Sequence, residues 1–254
     1  MTRPPIAASG VRLDRDGSVA TVTLCRPDVL NAQTPATWLA LAEFGRQLPG
    51  DVRVVVVRGE GRAFSAGLDL AFAAEATGEL TRLAPDEAAD RIAGYQDAFG
   101  WLRRPDLISV AAVQGHAIGA GFQLALACDL RILADDAQLA MAEVTLGLVP
   151  DLGGTRRLVE LVGYARALEV CVTGRRIPAG EAERVGLANL VVPRAELDGA
   201  VADLVAAVHA SARDAVVEIK ALLLDAVRRS FPEQELAERT AQVRRLRDLA
   251  GLDE

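Results

Sequence analysis

Two segments of the chain combine an apolar run, a loop of small residues and the start of a predicted helix. In the first, the run 54–58 precedes the loop 63–70, and in the second, the run 108–113 precedes the loop 115–123. Small side chains let a ligand approach the backbone, and the first N–H groups of a helix lack partners and carry partial positive charge. Such loops can bind an anion, although a single one more often marks a tight turn between a strand and a helix.

Neither loop has the sequence of a nucleotide-binding loop. No Gly-Lys-Ser/Thr follows, as a Walker A loop requires, and the acidic ribose contact of a dinucleotide fingerprint is missing. His116 and His209 have no second ligand at metal spacing, and Cys25, Cys128 and Cys171 are odd in number and lack a CxxC motif. We therefore expect no metal site, no disulfide framework and buried free thiols.

The composition is that of a globular protein with an acidic balance. Of 254 residues, 51% are hydrophobic, and 35 acidic residues against 28 basic residues give a net charge of -7, which argues against nucleic-acid binding. Residues 107–128 carry no formal charge, but their glycines and the polar Gln114, His116 and Gln123 argue against a membrane span. Two prolines within the first ten residues interrupt any secretory signal, so the sequence predicts a cytoplasmic protein.

The spacing of the apolar residues predicts strands that alternate with helices, which is typical of an α/β fold. Alternation on both sides of Asp16-Gly17 predicts a β-hairpin, and Thr34 before Pro35 predicts a helix start. The other predicted strands are 52–57, 108–113, 130–134 and 139–143, and the predicted helices are 35–48, 68–76, 86–102, 121–127, 155–161, 165–173, 179–185, 195–211, 215–228 and 233–249. We divide the chain into a core, residues 1–193, and a C-terminal helical region, residues 194–254.

Three segments that contain small residues and carboxylates follow one another in order. They are Phe64-Ser65-Ala66-Gly67-Leu68-Asp69-Leu70, the stretch 115–129, and the stretch 143–155 with Glu143 and Pro150-Asp151. In order and spacing, residues 11–193 resemble the crotonase (enoyl-CoA hydratase/isomerase) superfamily. The resemblance implies a spiral of ββα units, followed by C-terminal helices that mediate a homotrimer, often paired into a hexamer.

The resemblance also implies an acyl-CoA substrate whose thioester oxygen is held by two backbone N–H groups, which fall on Ala66 and Ala120. Removing a proton beside the thioester carbonyl places negative charge on that oxygen, and one preorganised donor contributes about 2.7–4 kcal/mol in measured cases. Coenzyme A is part of the substrate, so no separate cofactor is expected.

Contacts to coenzyme A are implied at Arg26, Leu68 and Asp69. Lys220 and the basic pair 228–229 are weaker candidates for its phosphates. The last helix lacks the Phe and the basic cluster that many members of the superfamily carry there, which leaves contacts across a subunit boundary open.

Gln123, Glu143 and Asp151 occupy the acid–base positions of the resemblance. Hydratases of the superfamily carry glutamates at the positions of Gln123 and Glu143. Isomerase-type members carry an acid at the position of Asp151, and this chain resembles them there. An amide cannot exchange a proton at neutral pH, so the pair of carboxylates that adds water is incomplete. Outside the resemblance, Glu143 could be a surface carboxylate and Asp151 a helix cap.

The favoured interpretation is an enzyme that stabilises a thioester enolate and moves a double bond from the 3- to the 2-position with Asp151, Glu143 or both. One alternative is a 2-enoyl-CoA hydratase that uses Glu143, with Gln123 orienting the water. A second alternative is a non-catalytic acyl-CoA-binding protein that has kept the pocket.

Overall fold

The computed structural model describes residues 9–252, without the side chains of residues 74–77, and builds them around two β-sheets. The larger sheet has the strand order β1-β2-β3-β4-β6-β9, and the smaller has the order β5-β7-β8. The strands are β1 Val11–Asp16, β2 Val19–Leu24, β3 Val54–Gly59, β4 Ile108–Val113, β5 His116–Ile118, β6 Leu130–Ala134, β7 Gln138–Ala140, β8 Ile177–Pro178 and β9 Leu190–Val192. Strands alternate with helices along the chain, which confirms the α/β class.

The predicted hairpin is confirmed at the edge of the larger sheet. β1 and β2 pair antiparallel in a register that sets Val11 opposite Leu24, and Gly17 takes a positive φ of 55° in the turn. From β2 onward the larger sheet is parallel. The carboxyl ends of β3 and β4 therefore point the same way and carry the two glycine loops to one edge of the sheet.

Ten helices of four or more α-helical residues lie within the described part of the chain. They are α1 Pro35–Gln47, α2 Leu70–Leu80, α3 Pro85–Gly100, α4 Ala120–Ala127, α5 Gly154–Val162, α6 Tyr164–Thr173, α7 Ala179–Arg184, α8 Leu197–Ala210, α9 Arg213–Ala226 and α10 Phe231–Leu249. Thr34 caps α1 as predicted, because its Oγ1 accepts a hydrogen bond from the Thr37 N–H.

Two sequence-based predictions of secondary structure need correction around the second loop. Residues 116–118 form β5 inside the predicted glycine loop, and the predicted strand 139–143 is limited to β7, so that Glu143 instead begins a short 3₁₀ helix, Glu143–Leu146. Strands of three residues are too short to show an alternating pattern, and these two form through pairing with distant residues: β5 with β7 and Ser65, and β7 with β5 and β8.

The larger sheet is covered on both faces. One face lies against the main core, which includes Trp38, Phe64 and Phe122, and the other is covered by Leu197 and Val201 of α8. The first helix after residue 193 thus packs on the sheet, and the division of the chain at 193/194 stays a prediction. Within residues 9–252, no helix has both the length and the apolar character needed to cross a bilayer.

Candidate active site

A cavity of about 560 Å³ opens where the two glycine loops meet the segment 142–152. Helices α2 and α3 form its opposite side. Its polar lining groups include Gln123, Glu143 and Asp151, and both loops contribute backbone to its wall. Its larger apolar side chains are Trp38, Leu68, Leu70, Leu80, Ile92, Tyr95, Ile118, Leu146, Leu148, Val149 and Leu152. An apolar cavity with a few convergent polar groups is typical of a small-molecule site.

The two backbone donors of this cavity are the N–H groups of Leu68 and Ala120. Ala120 is the first residue of α4, and in the described part of the chain its N–H has no acceptor. The predicted partner, Ala66, is wrong as a donor, because its N–H already donates to the Leu30 carbonyl at 2.8 Å. The N–H of Leu68, two residues further on, makes no hydrogen bond within residues 9–252, and Leu68 lines the cavity.

Gly67 brings these two donors together. It has a φ of +90°, and a Cβ at this position would lie 2.4 Å from the Ile118 carbonyl oxygen and 3.5 Å from the Ala120 nitrogen. Only glycine tolerates both the positive φ and this close approach. The loop that carries Leu68 therefore lies directly against the start of α4, and two unpaired N–H groups border the same space.

Glu143 lies beside these donors. Its Oε1 accepts a hydrogen bond from Gln123 Nε2 at 2.7 Å, whereas its Oε2 is buried and has no hydrogen-bond partner among the described residues. A Cβ placed on Gly119, the residue before Ala120, would be 3.3 Å from Glu143 Oε1. Burial raises the pKa of Glu143, hydrogen bonds from its own backbone and from Gln123 oppose the rise, and the charge of Asp151 adds to it.

The buried side chain of Gln123 connects Glu143 to the loop that carries Asp151 through hydrogen bonds. Its side-chain oxygen accepts hydrogen bonds from the N–H groups of Leu152 at 2.9 Å and Gly154 at 3.2 Å. Its amide nitrogen donates to Glu143, so both ends of the side chain are engaged. An amide does not titrate, and Gln123 can therefore orient Glu143 without competing with it for a proton.

Asp151 contributes a second carboxylate to the cavity wall. Gln96 Nε2 donates to its backbone carbonyl at 2.6 Å and holds the loop against α3. No cation pairs with its carboxylate in the described structure. Partial burial raises the pKa of Asp151, and the charge that it carries when ionised also reaches Glu143. The cavity therefore holds two acids that both keep a proton more readily than a carboxyl group in water.

The raised pKa of Glu143 predicts the pH dependence of activity. Only an ionised carboxylate can accept a proton, so for a reaction that uses Glu143 as its base we expect the acidic limb of kcat/KM to lie above the ordinary glutamate range. Asp151→Asn removes a nearby negative charge and is expected to shift the Glu143 pKa downward. A carboxyl ¹³C NMR titration of both proteins measures this shift. An unchanged Glu143 pKa in the variant would show that the two carboxyl groups do not interact.

The structure brings the predicted coenzyme A contacts Arg26 and Asp69 into direct contact with each other. Arg26 Nη1 lies 2.8 Å from Asp69 Oδ2 and donates to the Ala32 carbonyl at 2.8 Å. Asp69 Oδ1 accepts from the Ala71 N–H at 3.0 Å, at the start of α2. The pair joins the turn after β2 to α2, and contact of Arg26, Leu68 and Asp69 with coenzyme A stays a prediction.

Lys220, a weaker phosphate candidate, does not fit that role. It is 6% exposed, and its Nζ donates to the Leu107 carbonyl and to Asp129 Oδ2, both at 2.7 Å. A buried ammonium held by these two partners cannot reach a phosphate at the surface. In the same residues 9–252, no group of three or more His, Cys, Asp or Glu side chains could hold a metal ion.

Sequence reasoning missed the Leu68 N–H and the wall residues Trp38 and Tyr95. Leu68 directly follows Gly67, which has a positive φ, so the glycine was the feature of the sequence that could have indicated the Leu68 donor. The hydrogen bond that occupies the Ala66 N–H goes to Leu30, which lies outside the motif, and the motif therefore gives no indication of it. Trp38 and Tyr95 have ring centroids 5.0 Å apart, and in the sequence they appear only as apolar positions of two helices.

Comparison with known proteins identifies the family of this chain. The family described as "Enoyl-CoA hydratase/isomerase" matches residues 14–248. The Mycobacterium leprae protein named "Probable enoyl-CoA hydratase echA8" is 35% identical over 230 residues, which are 90% of this chain and 84% of the relative. The Escherichia coli K12 carnitinyl-CoA dehydratase is 41% identical over 195 residues, covering 75% of this chain and 70% of the relative.

Solved structures agree with the sequence comparison. A Thermobifida fusca YX protein described as a candidate enoyl-CoA hydratase, crystallised with CoA, is 50% identical with a TM-score of 0.90, over 99% of this chain and 98% of that chain. Its complex with acetoacetyl-CoA has a TM-score of 0.91 at 49% identity, over 97% of this chain and 98% of that chain. The crotonase-like fold is thereby confirmed, and the chain belongs to the enoyl-CoA hydratase/isomerase family.

Proposed function

We propose that this chain binds an acyl-CoA thioester, stabilises its enolate with the N–H groups of Leu68 and Ala120, and moves the double bond of a 3-enoyl-CoA to the 2-position. The observation that carries this proposal is the buried Oε2 of Glu143 beside two backbone donors, none of which has a hydrogen-bond partner within residues 9–252. Donors that are already oriented stabilise charge that develops on an oxygen without further reorganisation.

The proposed reaction is a proton transfer in two steps. Ionised Glu143 takes a proton from C2, the C2–H electrons become part of a dienolate, and the thioester oxygen gains negative charge. Asp151 takes up a proton from solvent at the open side of the cavity and gives it to C4, which leaves the double bond between C2 and C3. Asp151 is exposed to the open cavity, so solvent can exchange protons with it and accept the proton left on Glu143 after the product leaves.

Binding of coenzyme A is supported by the complexes of the Thermobifida fusca relative with CoA and with acetoacetyl-CoA. Assembly as a homotrimer or a hexamer is a separate proposal. It is supported by large apolar side chains that α9 and α10 leave exposed, namely Ile219, Leu223, Phe231, Leu236 and Leu249.

The second candidate is a 2-enoyl-CoA hydratase that uses Glu143 alone, and the hydratase names of the relatives favour it. In this candidate Gln123 orients the water, because its amide nitrogen carries two N–H groups and donates one of them to Glu143. General acid or base groups typically contribute about 10²–10⁴-fold, so a hydratase with one carboxylate is expected to be slow. The third candidate, a non-catalytic acyl-CoA-binding protein, predicts binding without turnover.

A parallel assay separates the three candidates. We expect the protein to isomerise a 3-enoyl-CoA faster than it hydrates the matching 2-enoyl-CoA, and Asp151→Asn to lose more isomerisation than hydration. Asp86→Asn, an exposed carboxylate in the first turn of α3, is the matched control and is expected to behave as the parent. Efficient hydration without isomerisation would favour the hydratase, and binding without turnover of any thioester would favour the third candidate.

A further inference from the structure

Gln33 holds the loop of Leu68 from both sides through its backbone. The Gln33 N–H donates to the Gly67 carbonyl at 2.7 Å, and the Gln33 carbonyl accepts from the Asp69 N–H at 2.8 Å. The first bond holds the Gly67–Leu68 peptide plane, which carries the Leu68 N–H, and the second holds the Leu68–Asp69 peptide plane that follows it. Gln33 and Leu68 accordingly form an isolated parallel bridge.

The side chain of Gln33 adds a second connection to the same loop. Its Nε2 donates to Ser65 Oγ at 3.1 Å, and Ser65 Oγ in turn accepts from the Gly67 N–H at 3.2 Å and donates to the Asn31 carbonyl at 2.8 Å. Its Oε1 accepts from Trp38 Nε1 at 2.8 Å. Gln33 and Ser65 are both 0% exposed.

We propose that Gln33 is a positioning residue, which sets the direction of the Leu68 N–H toward the thioester oxygen and ties it to the Trp38 wall of the cavity. This inference rests on the proposed function, because it assigns Gln33 a task in the same enolate-stabilising site. Gln33 touches no reacting atom, and it acts through Ser65, Gly67 and the backbone on either side of Leu68.

The burial of Gln33 argues for this role. A buried amide loses its hydrogen bonds to water, and only a full set of protein partners restores them. An apolar side chain would fill the same space without that requirement. The amide is instead used at both ends, since its nitrogen bonds to Ser65 in the loop of Leu68 and its oxygen bonds to Trp38 in the cavity wall. The orientation of a donor matters steeply, since a shift of about 1 Å can cost about 10²-fold in rate.

The test measures how well the site stabilises an enolate, apart from turnover. Acetoacetyl-CoA is a suitable probe because its enolate absorbs in the near ultraviolet, and its pKa when bound is read from a pH titration of that absorbance. We expect Gln33→Met to raise this pKa by about 1 unit, the equivalent of a tenfold loss in binding of the enolate. In turnover of a 3-enoyl-CoA we expect kcat to fall about 10- to 100-fold with KM nearly unchanged.

Two further variants make the test specific. Ser65→Ala interrupts the same connection and is expected to shift the enolate pKa in the same direction. Gln114→Met is the matched control, since Gln114 is also buried and its side chain bonds to the carbonyls of Gly59, Gly61 and Ala63, with no side-chain bond to residues 65–69 in the described structure. We expect it to lower Tm and leave the enolate pKa unchanged. If Gln33→Met does not fold, Gln33→Glu keeps an acceptor for Trp38 but offers Ser65 no N–H, and the same shift is expected.

The outcomes are distinct for the two levels of the proposal. If the parent protein does not lower the pKa of bound acetoacetyl-CoA below its value in water, the proposed function fails, and the role of Gln33 fails with it. If the parent protein lowers that pKa and the Gln33 variants lower it equally while losing Tm as Gln114→Met does, Gln33 is structural and only this inference is overturned.

Discussion

Glu143→Gln is expected to lower turnover of a 3-enoyl-CoA by about 10²–10⁴-fold, the usual contribution of a general base. The variant keeps the shape of the side chain and an acceptor for Gln123, but it removes the only group at this position that can take the C2 proton. Binding of acyl-CoA is expected to persist, because the Leu68 and Ala120 donors are backbone groups. Steady-state kinetics and calorimetric titration with a saturated acyl-CoA measure the two effects.

Glu238→Gln provides the matched control for this prediction. Glu238 is an exposed carboxylate that accepts from Gln234 at 3.2 Å, and it lies on α10, a helix that does not line the cavity. Its kinetics are expected to match the parent protein. Turnover of Glu143→Gln at the parent rate would mean that another group removes the proton, and the assignment of Glu143 would be wrong.

Lys220→Met is expected to lower the free energy of unfolding by about 3–5 kcal/mol, because it leaves a buried carboxylate without its cation. The side chains of Lys220 and Asp129 are only 7% and 15% exposed, and the ammonium joins α9 to the segment before β4. Asp129 keeps its hydrogen bonds from the Ser109 N–H at 2.8 Å and hydroxyl at 2.9 Å, so the loss is expected near the lower end. Urea unfolding monitored by circular dichroism measures it.

An exposed ion pair on the same helices serves as the control for Lys220. Arg244 pairs with Glu218, with side chains 56% and 25% exposed, and exposed pairs contribute about 0–1 kcal/mol. Arg244→Met is therefore expected to have little effect. The double variant Lys220→Met with Asp129→Asn should recover part of the loss, since the unpaired charge is gone. A Lys220→Met protein as stable as Arg244→Met would show that the buried pair does not hold α9 to the core.

The long elements of the fold were predictable because their patterns are local. The β1–β2 hairpin carries its alternation and its turn glycine in adjacent residues, and α1 carries its cap, its proline and its apolar stripe in a single window. β5 was not predictable, because three residues cannot show a period and the strand forms through its pairing with β7 and its bridge to Ser65. Glu143 was placed at the end of a strand for the same reason.

The acid–base residues of the site were predictable, because the type of each residue decides whether it can transfer a proton. Glu143 and Asp151 can move protons, Gln123 cannot, and the structure places all three on one cavity. The prediction of Ala66 as a donor is wrong because its N–H is already bonded to the carbonyl of Leu30, a residue on a separate turn.

The network around Gln33 was hidden from the sequence in the same way. Its partners Ser65 and Gly67 are more than thirty residues away along the chain, and only the fold brings them together. Hydrogen bonds of this kind are fixed by tertiary structure, whereas patterns in a sequence report mainly on local structure.

The most direct test of the central claim is ¹H NMR of a 3-enoyl-CoA incubated with the protein in D₂O. If Glu143 removes the C2 proton and Asp151 supplies a solvent-exchanged proton to C4, the product is the 2-enoyl-CoA with deuterium at C4. A 3-hydroxyacyl product without an isomerised intermediate, or a substrate that binds and keeps its C2 hydrogens, would contradict the account.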